Sequence, residues 1–237
     1  MSKILKTKLQ ELNISINDRQ EEQFEQFYDL LIEWNKVMNL TGITEYEEVV
    51  EKHFVDSLSL VKAIEIDKIH SVIDIGTGAG FPGIPLKIAF PHLNITLLDS
   101  LNKRIRFLDT VIDRTGLKDI RTIHGRAEDY AKQKEYREMY DLCVSRAVAN
   151  LSTLSEYCIP YIRIGGIFIS YKSGDVESEK EDSRNAASLL GGRIKDTVKF
   201  QLPGTDIGRS FVIIEKERQT AKRYPRKAGL PSKEPLK

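Results

Sequence analysis

The chain has 237 residues, 41% of them hydrophobic and 30% charged, a globular composition sized for one full α/β domain with an appended piece and too apolar for a disordered chain. No stretch approaches the ~18 consecutive apolar residues of a membrane span, and the opening Met1-Ser2-Lys3-Ile4-Leu5-Lys6-Thr7-Lys8 lacks the apolar core of a secretory leader. Cys143 and Cys158 without C-x-x-C spacing, and four scattered histidines, argue against a disulfide scaffold or a metal site and for a cytoplasmic protein.

Residues 1–70 read as a helical cap. After Asn17, a candidate N-cap, Phe24, Phe27, Tyr28, Leu31, Trp34 and Met38 recur at three- and four-residue steps. Val50, Phe54, Leu58 and Val61 mark a second amphipathic helix. From Ser71 short apolar runs alternate with helix-length stretches, the pattern of repeated βαβ units. Strands are expected at 71–75, 95–98, 120–123, 140–144, 166–171, 195–201 and 209–215, with helices at 83–90, 102–115, 151–159 and 176–190. The final two strands are too close for a crossover helix and should pair antiparallel. Seven strands with the last antiparallel is the layout of the class I methyltransferases, a fold-level analogy that places the catalytic domain at 71–216. Residues 217–237 read as a loosely ordered basic tail. With Lys216 it carries eight basic and two acidic side chains, a net of +6 that leaves −5 for the first 215 residues. A polyanion partner would therefore be met through local patches and not through the global charge of +1.

The segment from Ser71 to Gly83 runs a strand into a glycine-rich turn that opens a helix, where backbone N–H groups can approach a ligand. Asp99, at the end of the second strand, can accept both hydroxyls of a ribose. Two cofactor classes share this geometry. Gly78-Ala79-Gly80-Phe81-Pro82-Gly83 matches the dinucleotide pattern G-x-G-x-x-G but begins three residues after the strand. Counted from Gly76, Phe81 stands where the third glycine should be. An acidic residue followed by G-x-G-x-G, as in Asp74 and Gly76 to Gly80, resembles an S-adenosylmethionine loop, with Asp74 supporting the turn and Gly76 and Gly78 facing the methionine end.

Further candidates follow the third and fourth strands. A side chain and a backbone amide of Arg126-Ala127-Glu128 could bracket an adenine, and Ser145-Arg146-Ala147 would lie beside the transferring methyl. The chain has no Asp/Asn-Pro-Pro-Tyr element for methylating an exocyclic amine. Both cysteines read as core and not as nucleophiles toward a pyrimidine carbon. Guanine N7 carries a lone pair and no proton, so its methylation needs positioning and no general base.

At this point the chain resembles the glucose-inhibited division B proteins, bacterial guanine-N7 methyltransferases of 16S ribosomal RNA. The resemblance runs over nearly the whole length. It is carried by Glu33-Trp34-Asn35-Lys36, Asn39-Leu40-Thr41, His53 to Ser57, Asp74 to Gly83, Leu98 to Arg104, Arg126 to Glu128, Ser145 to Ala147 and Tyr224-Pro225-Arg226-Lys227. It implies a cytoplasmic enzyme acting on a guanine of the decoding region, with Gly76, Phe81, Ala127, Glu128 and Arg146 contacting S-adenosylmethionine, no metal, and 16S ribosomal RNA or the small subunit as partner. A monomer is expected. His53, Asp56 and Ser57, at i, i+3 and i+4, read either as an anchor between cap and sheet or as part of the site. Lys103 and Arg104 could meet RNA phosphates or form a solvated face, and Arg223, Arg226 and Lys227 in the tail would hold the phosphate backbone. A methyltransferase of a small molecule, and a non-catalytic RNA-binding protein of the same fold, are the alternatives.

Overall fold

The structure, a computed structural model, describes residues 2–174 and 176–237. The chain opens with α1 (Ser2–Gln10) and α2 (Asp18–Met38). Asn17 starts α2 as expected and does so through a reciprocal cap: its side chain accepts from Gln20 N, and its own N–H donates to Gln20 Oε1. The Gln20 amide also donates to Ile88 O and Ala89 O, and Gln23 donates to Thr115 O. These two buried glutamines thereby satisfy carbonyls at the ends of helices in the following domain.

The second amphipathic stretch is not one regular helix. It runs as α3 (Tyr46–Val49), a π-helical turn over Val50–Val55, α4 (Asp56–Leu58) and a 3₁₀ turn over Ser59–Lys62. Its aromatic packing accounts for the departure: Phe54 sits among Phe24, Phe27 and Phe81 with ring centroids 5.1 to 6.2 Å apart. Each such ring removes enough apolar surface to contribute ~2 kcal/mol, which outweighs the modest cost of an irregular turn.

The sheet follows: β1 (Ser71–Ile75), β2 (Asn94–Asp99), β3 (Ile120–His124), β4 (Tyr140–Arg146), β5 (Ile162–Lys172), β6 (Gly192–Gln201) and β7 (Gly208–Lys216). Between them lie α5 (Gly83–Ala89), α6 (Asn102–Thr115), α7 (Ala127–Tyr130), α8 (Leu151–Cys158) and α9 (Glu177–Leu189). The spatial order is β3-β2-β1-β4-β5-β7-β6; β1 to β5 are parallel, and β7 runs antiparallel to both of its neighbours. Chain order reverses between β1 and β4, which opens a crevice at their carboxyl ends.

One face of the sheet packs in a single apolar core with the N-terminal helices, α5 and α6; the other packs against α7 to α9 and Tyr224. The cap is therefore continuous with the sheet's core. The tail differs from the loosely ordered segment its composition suggests. It folds back, carries the short helix α10 (Leu230–Lys233), and buries Thr220, Tyr224 and Pro231. Arg137 donates to the carbonyls of Thr220, Ala221 and Tyr224, while Lys216, buried in the core, donates to Ile159 O. Arg226 makes a paired contact with the fully buried Glu156, at 3.0 and 2.7 Å to its Oε2. A buried carboxylate that would otherwise be uncompensated holds this arginine in place.

Candidate active site

A cavity of about 630 Å³ opens over the carboxyl ends of β1, β2 and β4. The glycine turn forms its floor. Asp74, wholly buried at the end of β1, accepts from Thr77 Oγ1 at 2.7 Å and from Gly83 N at 2.9 Å, so one carboxylate oxygen fixes both ends of the loop. Among the described residues its Oδ1 has no hydrogen-bond partner. Gly78 stands at φ +62, and a Cβ built there would have no neighbour closer than Gly76 O at 3.9 Å. It would point into open space on a cavity-lining residue.

Asp99 closes the end of β2. Its Oδ2 accepts from Gly78 N at 3.0 Å and from Arg104 at 3.2 Å, and its Oδ1 accepts from Leu101 N at 2.9 Å. Gly76, Phe81, Ala127, Glu128 and Arg146 line the same cavity, so the candidates following four different strands meet in one place. Thr41, Tyr157, Gly229 and Ser232 line it too. Thr41 stands in the Asn39-Leu40-Thr41 motif, whereas Tyr157, Gly229 and Ser232 lie outside every motif the sequence singles out, because they follow neither the glycine turn nor the carboxyl end of a parallel strand.

Arg146, at the end of β4, is gripped from the cap. Its guanidinium donates to Asp56 Oδ2 at 2.8 Å and Lys52 O at 3.2 Å, faces His53 Nδ1 at 3.4 Å, and lies 5.0 Å over the Phe81 ring. Asp56 also accepts from Arg209 at 3.0 Å, so one buried carboxylate joins two arginines. His53 stacks on Phe81 with centroids 4.5 Å apart and meets Thr41 Oγ1 through Nε2 at 2.8 Å. A second cavity, about 390 Å³, shares His53 and Arg146 with the first and reaches Asp56, Lys172 and Arg209.

Several candidates fall elsewhere. Ser57 is buried and donates to His53 O at 2.6 Å, while Tyr171 donates to its carbonyl; it anchors the cap and reaches neither cavity. Its spacing from His53 is that of a helical i, i+4 pair, and such a hydroxyl turns naturally to the carbonyl one turn back. Arg104 is held by Asp99 instead of being free for a phosphate. Arg226 is spent on Glu156, a buried carboxylate that would be left uncompensated without it. Lys103, Arg223 and Lys227 are exposed and line neither of these two cavities, and the Arg223 guanidinium lies 5.0 Å over the ring of Tyr224.

Half-buried His53 and buried Asp74 are shifted in opposite directions. Burial, helped by the Arg146 charge, lowers His53 from 6.5 to about 4, so it is a neutral imidazole at neutral pH. Burial raises Asp74 from 3.8 to about 7, against the pull of its bonds from Thr77 and Gly83. Between pH 4 and 6.5 the unfolded chain takes up a proton that folded His53 refuses, so this contribution to stability rises with pH. Folded Asp74 keeps a proton that the unfolded chain releases, so its contribution falls as pH rises from about 4 to 7. In the intact protein the two oppose each other. Urea unfolding should therefore show Asp74→Asn gaining stability from pH 4 to 6.5 and His53→Gln losing it from pH 4 to 7, each by up to ~3 kcal/mol. Parallel profiles for the two variants would contradict the assignment.

Among the described residues, no group of three or more His, Cys, Asp or Glu side chains could hold a metal, and no helix is long and apolar enough to cross a membrane. In fold, the chain is similar to the O-methyltransferase segment "StiE O-MT residues 961-1257" (TM-score 0.54, 19% identity, 69% of this chain and 73% of that one). It is also similar to the YcgJ protein of Bacillus subtilis (TM-score 0.50, 14% identity, 70% and 100%). In sequence it is 55% identical over 228 residues to the ribosomal RNA small subunit methyltransferase G of Lachnoclostridium phytofermentans, covering 96% of this chain and 94% of that one. The protein of the same name from Clostridium botulinum strain Loch Maree is 50% identical over 99% of this chain and 98% of its own length. The family model for rRNA small subunit methyltransferase G matches residues 20–207, a span that holds the cap from Gln20 onward, the glycine turn, Asp99, Arg146 and six of the seven strands. With that match across most of the chain and half its residues shared with full-length relatives, the chain belongs to the family of the small-subunit ribosomal RNA methyltransferases G.

Proposed function

We propose that this chain transfers a methyl group from S-adenosylmethionine to N7 of a guanine in the decoding region of 16S ribosomal RNA, in the cytoplasm and as a monomer. The observation that carries the reading is the meeting of the two cavities at Arg146 and His53: one is floored by a glycine turn, the other is edged by arginines.

The residues fit the cofactor. Gly78 leaves open the space that a Cβ would fill, and Asp99 offers a carboxylate at the end of β2. A carboxylate has about four acceptor positions, of which three are engaged; the Arg104 contact, the longest, is the one a ribose would exchange with. Ala127 and Glu128 would flank the adenine, with Gly76, Phe81 and Arg146 toward the methionine end. S-adenosylmethionine, when bound, supplies a sulfonium methyl that an incoming lone pair can take.

The chain's own task is then positioning. Guanine N7 has no proton to lose, and a His53 held neutral is suited to orientation and not to proton transfer. Arg146, fixed by Asp56 and Phe81, can donate to the guanine O6 edge while N7 stays free to react. Two arginines against Asp56 leave the cluster at +1, which favours a phosphate-bearing substrate. A small-molecule target would have no use for the surplus charge of Arg146 and Arg209 at the second cavity, where Lys172 is already paired with Glu179 at 2.7 Å.

Asp99→Ala is expected to weaken S-adenosylmethionine binding about ten- to a hundredfold, ~1.5–3 kcal/mol, the usual worth of hydrogen bonds to a charged group. Part of that loss passes through Gly78, whose N–H Asp99 also holds. An unchanged dissociation constant in calorimetry would remove Asp99 from the site. The reaction itself is tested by labelled methyl transfer to ribosomal RNA or small subunits, with the product located by strand cleavage at 7-methylguanosine. Label at any position other than a guanine N7 would overturn the proposal.

A further inference from the structure

We infer that residues 226–234 form a clamp that walls the cofactor cavity, and that this part of the basic tail serves the cofactor instead of the RNA backbone. The inference rests on the reading of that cavity as the S-adenosylmethionine site. The segment lies beyond residue 207, where the match to the family model ends.

The segment is a closed loop. Arg226 sits at its base, donating through Nε and Nη2 to the two oxygens of Glu156 and through the same Nη2 to Glu234 O at 2.7 Å. Its backbone N–H adds a further bond to Glu156 Oε1 at 2.7 Å. Thr153 on α8 donates to Pro231 O at 3.1 Å and ties the middle of the loop down. At the tip, Gly229 stands in the left-handed region at φ +83, where a side chain would be strained. Its N–H donates to Glu128 Oε1 at 2.7 Å. Glu128 is 4% exposed and lines the cavity, as do Gly229 and Ser232. The tail therefore fixes the carboxylate that flanks the adenine and supplies part of the wall beside it. A solvated phosphate tether would instead leave its arginine free and its backbone unbonded.

Docking of this loop and occupancy of the cavity should then favour one another, since each orders groups that the other uses. The test is calorimetry with S-adenosylmethionine on a chain ending at Pro225. Glu156→Gln is added to that chain so that no buried charge is left without Arg226, and full-length Asp99→Ala serves as the reference. The clamp predicts at least tenfold weaker binding for the shortened chain. If Asp99→Ala alone loses affinity, the clamp is wrong and the cavity reading stands. If neither loses it, both are wrong. Should the shortened chain fail to unfold cooperatively, hydrogen exchange on the intact protein decides. Saturating S-adenosylmethionine should slow the amides between 228 and 233 at least tenfold, and unchanged rates would reject the clamp.

Discussion

Replacing Arg146 with alanine should reduce methyl transfer by about 10²–10³-fold, the scale of losing one well-placed donor in a water-poor site, while leaving a folded protein. The two effects separate because of Asp56. That carboxylate is buried, and a buried charge stripped of its only partner destabilises a protein by roughly 3–5 kcal/mol. Here Arg209 remains on its other oxygen at 3.0 Å, so the stability loss should be much smaller, about 1–2 kcal/mol. Adding Asp56→Asn to Arg146→Ala should recover part of the stability and none of the rate. Arg146→Lys should also stay slow. An ammonium cannot lie flat over Phe81 while donating in two directions to Asp56 and Lys52 O. Single-turnover rates on ribosomal RNA, set beside urea unfolding of the same variants, would expose a bystander: near-normal turnover for Arg146→Ala removes it from the chemistry.

The sheet and the positions after its strands were legible because their signals are local. A strand such as Val72 to Ile75, buried on both faces, reads as an apolar run broken only by Asp74, and the glycine turn follows it directly. Boundaries slipped where composition and geometry part. β5 begins at Ile162, not 166: Ile162 pairs with Tyr140 and Ile167 with Leu142, and the register shifts between them, where Arg163 and the Gly165-Gly166 pair break the apolar run. The π turn at Val50–Val55 left no trace in the periodicity; it is set by rings that arrive from α2 and the glycine turn. Its position matters for function, since it carries His53 to the cavity. The tail was the largest misreading. Lysine, arginine and proline in a short span look solvated, yet the partner that orders Arg226 is Glu156, seventy residues earlier on α8, where nothing in the local sequence marks it as buried. Tyr157 and Ser232 left no local signal for the same reason: they reach the cavity by tertiary packing from two unrelated elements.

Gly78→Val should abolish measurable S-adenosylmethionine binding, an effect larger than that of Asp99→Ala, and should do so at modest cost to the fold. Three of the loop's glycines are closed to a side chain for structural reasons. A Cβ on Gly76 would come within 2.6 Å of Val148, on Gly80 within 2.6 Å of Ile84, and on Gly83 within 2.2 Å of Leu97, so those variants confound binding with stability. Gly78 is different: its added carbon meets nothing nearer than 3.9 Å, and the space it would enter is the cavity. What the fold loses is the strain of a β-branched residue at φ +62, on the order of 1–3 kcal/mol. Gly78→Ala grades the effect, since one methyl fills less of the cavity than an isopropyl group. The alanine variant should bind more weakly than the parent and the valine variant should show no heat of binding at all, while both unfold cooperatively. Near-parental affinity in Gly78→Val, in a protein shown to be folded, would mean that the ligand does not lie against this turn, and the cofactor would have to be sought outside the crevice between β1 and β4.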